Sequence, residues 1–91
     1  MKIFYLRNVT EGISISWPQV EMKNRKAYNI YRREASETEF KKMASLNGHT
    51  FSYVDKNAKP GSIYVYYLSI TEDDNREGER GKSSSIRRIK N

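Results

Sequence analysis

The sequence predicts an all-β chain, two antiparallel sheets of about seven strands packed face to face as a small sandwich. Three observations carry that expectation. Apolar residues recur at every second position in several windows, as they do on a strand with one buried face. Turn-forming residues interrupt those windows roughly every 8 to 12 residues, the spacing of strands in a sandwich or barrel. No window shows an apolar stripe at helical period. Tyr28 to Met43 holds charges that suit a helix, yet its aromatic and β-branched residues fall at even spacing.

Each element follows from the same pattern. Ile3 to Val9 reads as an edge strand, with Glu11-Gly12 turning into the next. In the second strand Ile13, Ile15 and Trp17 alternate with Ser14 and Ser16, and Pro18 ends it because proline has no ladder donor. Tyr28 and Ile30 flank Asn29 in a third strand that continues through Tyr31 to Arg33. Phe40 to Leu46 and Phe51 to Val54 come next, on either side of Asn47-Gly48 and His49-Thr50. Asn-Gly predicts a hairpin there, since both residues tolerate positive φ. The sixth strand, Tyr64 to Thr71, is the longest and follows Pro60-Gly61. Its Tyr64, Tyr66, Leu68 and Ile70 are expected to face inward, and Tyr67 and Ser69 outward. In the last strand, Ser83 to Ile89, Ile86 and Ile89 break strict alternation, which predicts a bulge or an early end to pairing. The long connections Pro18 to Lys26 and Asp73 to Lys82 are charged and poor in apolar residues, as surface loops are.

With 91 residues the chain is expected to form one domain over residues 1–91, large enough for a single core and too small for two. Seven tyrosines, three phenylalanines and a tryptophan argue against disorder, because such groups offset the entropy of ordering. The absence of cysteine excludes a disulfide framework and thiolate metal ligation. No run approaches the roughly 20 apolar residues that cross a bilayer, so no membrane insertion is expected. Met1 to Val9 lacks the apolar centre and small-residue cleavage site of a signal peptide. The net charge of +6 attracts polyanions in general. Acids interrupt the lysines and arginines, however, as with Glu34, Glu37 and Glu39 between Arg33 and Lys41.

The landmarks ISISWP, AYNIYRR, FSYVD and KPGSIYVYYLSI stand in an order that resembles a fibronectin type III domain of the bacterial kind, found in multidomain surface and secreted proteins. The resemblance spans Ile3 to Ile89. It implies an immunoglobulin-like sandwich whose core holds Trp17, Tyr28, Ile30, Tyr64, Tyr66 and Leu68. It also implies a tyrosine corner, in which the Tyr64 hydroxyl bonds back to the chain just upstream. Ala58 stands where the family usually has leucine, which predicts a smaller core plug at that point.

Candidate sites are few. His49, the only histidine, has neither a second histidine nor a cysteine to join it in a metal site or catalytic pair, and reads as a solvated turn residue. Glu72, Asp73, Asp74, Glu77 and Glu79 share one loop. They do not match the calcium-loop pattern with its glycine and closing glutamate, stand among Arg76 and Arg80, and face no opposing carboxylate across a cleft. No cofactor and no catalytic residue is expected. Two surfaces remain. In the topology that the resemblance implies, Lys23, Arg25, Lys26, Arg76, Arg80 and Lys82 could meet at one pole and attract phosphate, sulfate or carboxylate polymers. Tyr31 and Tyr67, pointing outward on strands that the resemblance implies are neighbours, could stack on a sugar or anchor a protein, or simply stabilise the sheet as a cross-strand pair.

The resemblance implies a non-catalytic spacer or protein-interaction module, monomeric in isolation, within a larger bacterial surface or secreted protein. Its expected partners are neighbouring domains. The alternative is a carbohydrate- or polyanion-binding module using the exposed tyrosines or the basic pole.

Overall fold

The computed structural model describes residues 4–18, 25–72, 76–78 and 81–89, with backbone alone at 25 and 26. Seven strands run in order: β1 (Tyr5–Val9), β2 (Gly12–Ser16), β3 (Arg25–Glu34), β4 (Lys41–Asn47), β5 (Ser52–Asp55), β6 (Ile63–Glu72) and β7 (Ser84–Arg87). They form a three-stranded sheet, β1-β2-β5, and a four-stranded sheet, β4-β3-β6-β7, in which every pairing is antiparallel.

Alternation explains both the layers and the core. Ile13 and Ile15 of β2 face Tyr28 and Ile30 of β3 and Tyr64, Tyr66, Leu68 and Ile70 of β6, all buried together with Trp17 and Ala58. Phe4, Leu6, Met43, Leu46, Tyr53 and Ile86 rim this core. The Trp17 ring lies 5.2 Å from that of Tyr28, and its indole N–H donates to the Thr50 carbonyl at 3.0 Å. At the opposite end Gly61 adopts φ 90°, a conformation in which any Cβ is strained. There the Lys59 N–H donates to the Tyr64 hydroxyl at 2.8 Å, closing the expected tyrosine corner.

One local expectation needs correction, and one resolves between its alternatives. Asn47-Gly48 does not make a hairpin, because β4 and β5 lie in different sheets. Gly61, not Gly48, is the described glycine with positive φ, so the tight hairpin turn is not formed. Instead, the Asn47 Oδ1 accepts from the His49 N–H at 2.9 Å and from the Thr50 hydroxyl at 3.1 Å. Trp17 N–H then bonds Phe51 at 3.1 Å, steering the chain across to β2. In β7 the second of the two expected outcomes is met, since pairing ends at Arg87, short of Ile89. The ladder from Tyr66↔Ser84 to Ile63↔Arg87 is in register, and the buried position after Ile86 is taken by Arg88, leaving Ile89 exposed.

Among the described residues no carboxylate pairs with the buried Arg88. Its Nη1 donates to the carbonyls of Val9 at 2.7 Å and Gly12 at 2.6 Å, and its Nη2 to Thr10 at 3.2 Å. The end of β7 thereby caps the β1-β2 turn. An ion pair with one buried and one partly exposed partner joins the two sheets. The Asp55 side chain of β5 is fully buried and receives Arg32 Nη1 at 2.8 Å from β3, the Tyr66 hydroxyl at 2.6 Å from β6, and the Asn57 N–H at 3.1 Å. Burial and the Asp55 hydrogen bond push the Tyr66 phenol far above its ordinary value. Burial alone lowers the Arg32 guanidinium, but its hydrogen bond and attraction to Asp55 outweigh that and raise it.

Two substitutions test this packing. Asp55→Ala leaves the buried Tyr66 hydroxyl without its partner and the partly exposed Arg32 without its counter-charge, and is expected to cost about 2 kcal/mol; urea denaturation checks it, and an unmoved midpoint contradicts the account. Gly12→Ala drives a Cβ into the Asp55 backbone carbonyl and is expected to cost roughly 1–3 kcal/mol or more by overpacking, read in the same titration.

Candidate interaction surface

The outer face of the four-stranded sheet carries the side chains that the core does not use. Register places Asn29, Tyr31 and Arg33 of β3 beside Ser69, Tyr67 and Val65 of β6, and Lys42 of β4 beside Tyr31. A register shift between Ile30 and Tyr31 is what brings Lys42 onto this face. The sequence-predicted pair is thus brought together: the Tyr31 and Tyr67 rings stack at 4.4 Å with planes 7° apart. Phe40 meets Tyr67 edge-on at 4.8 Å. Lys42 Nζ lies 5.7 Å from the centre of the Tyr31 ring, and the Arg33 guanidinium 5.1 Å from that of Phe40. Arg33 Nη1 also donates to the carbonyls of Glu34, Ala35 and Glu37 at 3.3, 3.3 and 2.9 Å.

Above this aromatic row the face is polar and closed. Asn29 and Ser69 point outward, as alternation requires, yet both are buried. Asn29 Nδ2 donates to the hydroxyls of Ser69 at 3.3 Å and Thr71 at 2.8 Å, and its Oδ1 accepts from Ser45 at 2.9 Å. Residues 76–78 and 81 supply the cover by running back along β6, with Gly78 N–H bonded to Ile70 at 2.8 Å and Gly81 N–H to Leu68 at 2.9 Å. From this segment Glu77 reaches the sheet, where its Oε2 accepts from the Tyr31 hydroxyl at 2.7 Å and from the Ser69 hydroxyl. Burial pushes the Tyr31 phenol up to about 12, reinforced by Glu77. Glu77 itself feels a smaller effect of burial than of its partners, because Ser69, Tyr31 and the Lys42 charge together hold its carboxyl below the ordinary value.

The other candidate residues are placed differently. Lys23 and Arg80 lie outside the described residues, as do the side chains of Arg25 and Lys26. Arg76 stands 3.7 Å from Glu72, near the Trp17 end, whereas Lys82 follows Gly81 beside the middle of β6. In the acidic loop Asp73, Asp74 and Glu79 are outside the described residues, and Glu72 and Glu77 have the partners just named. Among the described residues no three potential metal ligands converge. His49 is exposed at its turn. A concavity of about 370 Å³ opens between the edges of β4 and β5, lined by Arg32, Lys41, Lys42, Met43, Tyr53 and Tyr64 among others, and Lys42 borders both it and Tyr31. Among the described residues no helix is long and apolar enough to cross a membrane.

No family model and no curated protein matches the sequence. Solved structures match its shape. A domain of human contactin 1 superposes with a TM-score of 0.82 at 15% identity, over 97% of this chain and 75% of that one. This is the fibronectin type III fold. The same fold aligns with part of a chicken contactin 1 structure (TM-score 0.83, 20% identity, 97% of this chain) and of a pectate lyase from Pectobacterium carotovorum (0.78, 21%, 93% of this chain). The chain spans only 30% and 26% of those two larger chains. At such identities the likeness is one of fold.

Sequence reasoning found the tyrosine pair but missed Arg33, Phe40, Lys42 and Glu77. Arg33 was accessible, two positions beyond Tyr31 on the same strand face. Phe40 and Lys42 were not, since the register shift breaks the period that would have assigned them.

The Glu77 anchor predicts a pH dependence. A carboxyl held below its ordinary 4.5 contributes stability that is present above that value and lost as pH falls through the lowered one. Glu77→Gln is therefore expected to be less stable than the parent at pH 7, with the difference closing below pH 4.5. Thermal melts across that range decide it; a gap of constant size contradicts the anchor.

Proposed function

We propose that the chain is a non-catalytic spacer and protein-interaction domain within a larger bacterial surface or secreted protein. One observation carries this reading: the chain enters and leaves at opposite poles. Tyr5 pairs with Ser16 at the Trp17 end, whereas Arg87 pairs with Ile63 at the Pro60-Gly61 end. An odd number of strands requires it, and the long axis is 39 Å. A domain of that topology holds its neighbours apart. The two ends are also the locked parts of the fold, through Trp17 at one and Tyr64 with Arg88 at the other. The appearance of the fold as one part of larger chains, animal and bacterial, supports the same reading.

A sugar-binding role for Tyr31 and Tyr67 finds less support in the geometry. At 4.4 Å each ring covers a face of the other, and no pyranose fits between them. A polyanion role for the basic loops rests on side chains of which most lie outside the described residues.

Two copies joined head to tail test the spacer reading. Small-angle scattering is expected to show a maximum dimension greater by about the 39 Å long axis than that of one copy. A tandem that folds back on itself, with little gain in length, defeats it.

A further inference from the structure

We propose that the outer face of β4-β3-β6-β7 docks an extended acidic partner segment bearing large apolar side chains. This rests on the reading of the chain as an interaction domain and names the kind of partner it takes.

Charge is the first reason. The described outward positions carry three cations, Arg33, Lys42 and Arg87, the last placed on this face by its pairing with Ile63. The one described acid on the face is Glu77, and its Oε2 already accepts from both Tyr31 and Ser69. An incoming carboxylate on the sheet face therefore meets three cations against one carboxylate that is already hydrogen-bonded, the exposed acids Glu37 and Glu39 lying off the sheet in the turn after β3. Arg33 is suited to receive it. Its Nη1 serves three backbone carbonyls, and among the described residues nothing takes its Nη2 or Nε, so a planar donor edge is left for a carboxylate.

Between the cations lies an apolar centre of half-buried Tyr31, Tyr67, Phe40 and Val65. Tyrosine and arginine dominate the energetics of protein interfaces. Here both are fixed in advance by the 4.4 Å stack and by the tether of Arg33, so little side-chain freedom is lost on binding. A polyanion alone would leave the aromatic centre unused, and a second copy of this chain, with net charge +6, is repelled. An acidic segment with apolar residues satisfies both features.

The test is selection of a displayed library of random linear peptides on the 91-residue chain. Enrichment of peptides that combine Asp or Glu with aromatic or aliphatic residues is expected. Affinity should fall about tenfold or more in Lys42→Glu/Arg87→Glu, fall less in Lys42→Gln/Arg87→Gln, and fall separately in Tyr67→Ala, with circular dichroism confirming each fold. Higher salt should weaken the binding. No enrichment, enrichment of basic peptides, or indifference to the charge variants overturns the proposal. Heparin binding as tightly as the peptides, unaffected by Tyr67→Ala, overturns it in favour of a plain polyanion patch. The tandem length measurement is independent of these outcomes: a tandem that extends as expected while selecting no acidic peptide sinks this inference and leaves the spacer reading standing.

Discussion

The carboxylate of Asp55 is the one charged group of the described residues buried with an ion-pair partner between the two sheets, and the packing around it has few alternatives. A charge removed from water costs several kcal/mol unless it is paired and its lone pairs are satisfied. Asp55 meets that requirement by drawing on three strands: its own β5, Arg32 of β3 and Tyr66 of β6. β5 belongs to the three-stranded sheet and the other two to the four-stranded sheet, so the cost of stranding this carboxylate penalises any sliding of one layer over the other. Apolar contacts favour burial but are not directional. The ion pair supplies direction. It also reaches the tyrosine corner, since the Arg32 guanidinium lies 4.8 Å from the centre of the Tyr64 ring whose hydroxyl holds Lys59.

Much of this architecture was legible because alternation is a strong signal where one face is buried and the other wet. Trp17, Tyr28, Ile30, Tyr64, Tyr66 and Leu68 were readable as core from period two together with the family resemblance. The Asp55–Arg32 pair was not, because a charged residue at an inward position reads as a strand end or a solvated edge until its partner is known, and the two lie 23 residues apart. Arg88 was hidden for the same reason: its partners are backbone carbonyls 76 to 79 residues away, and carbonyls carry no sequence. The Asn47-Gly48 error is instructive in another way. Asn-Gly encodes a willingness to turn, but whether the chain turns within a sheet or between sheets is decided by Trp17 capturing Thr50 and Phe51, a contact of tertiary origin.

Ser69 shows how the outer face acquired its character. Alternation aimed it at solvent, and it lies buried because the segment after β6 folds back and lays Glu77 over it. That cover sorts the face into two regions. One is polar and sealed, with Asn29, Ser45, Ser69 and Thr71 satisfying one another. The other is aromatic and open at its rim, with cations around Tyr31 and Tyr67. Glu77 belongs to both, accepting from Ser69 on the sealed side and from Tyr31 on the open one.

That double role has a consequence for recognition. The negative charge most able to cancel the attraction of Arg33 and Lys42 for an acidic partner is turned toward the sheet and engaged by two hydroxyl donors. A hydrogen-bonded carboxylate still carries its charge, but its oxygen is committed, and a competing carboxylate has no cause to displace it. The same bond holds the Tyr31 ring in the orientation that stacks on Tyr67. The surface is thereby rigid before any partner arrives, which limits the entropic cost of binding to what the partner itself loses. In a small domain whose core is fully occupied by packing and one ion pair, an outer sheet face stiffened in this way is where selectivity can be built without disturbing the fold.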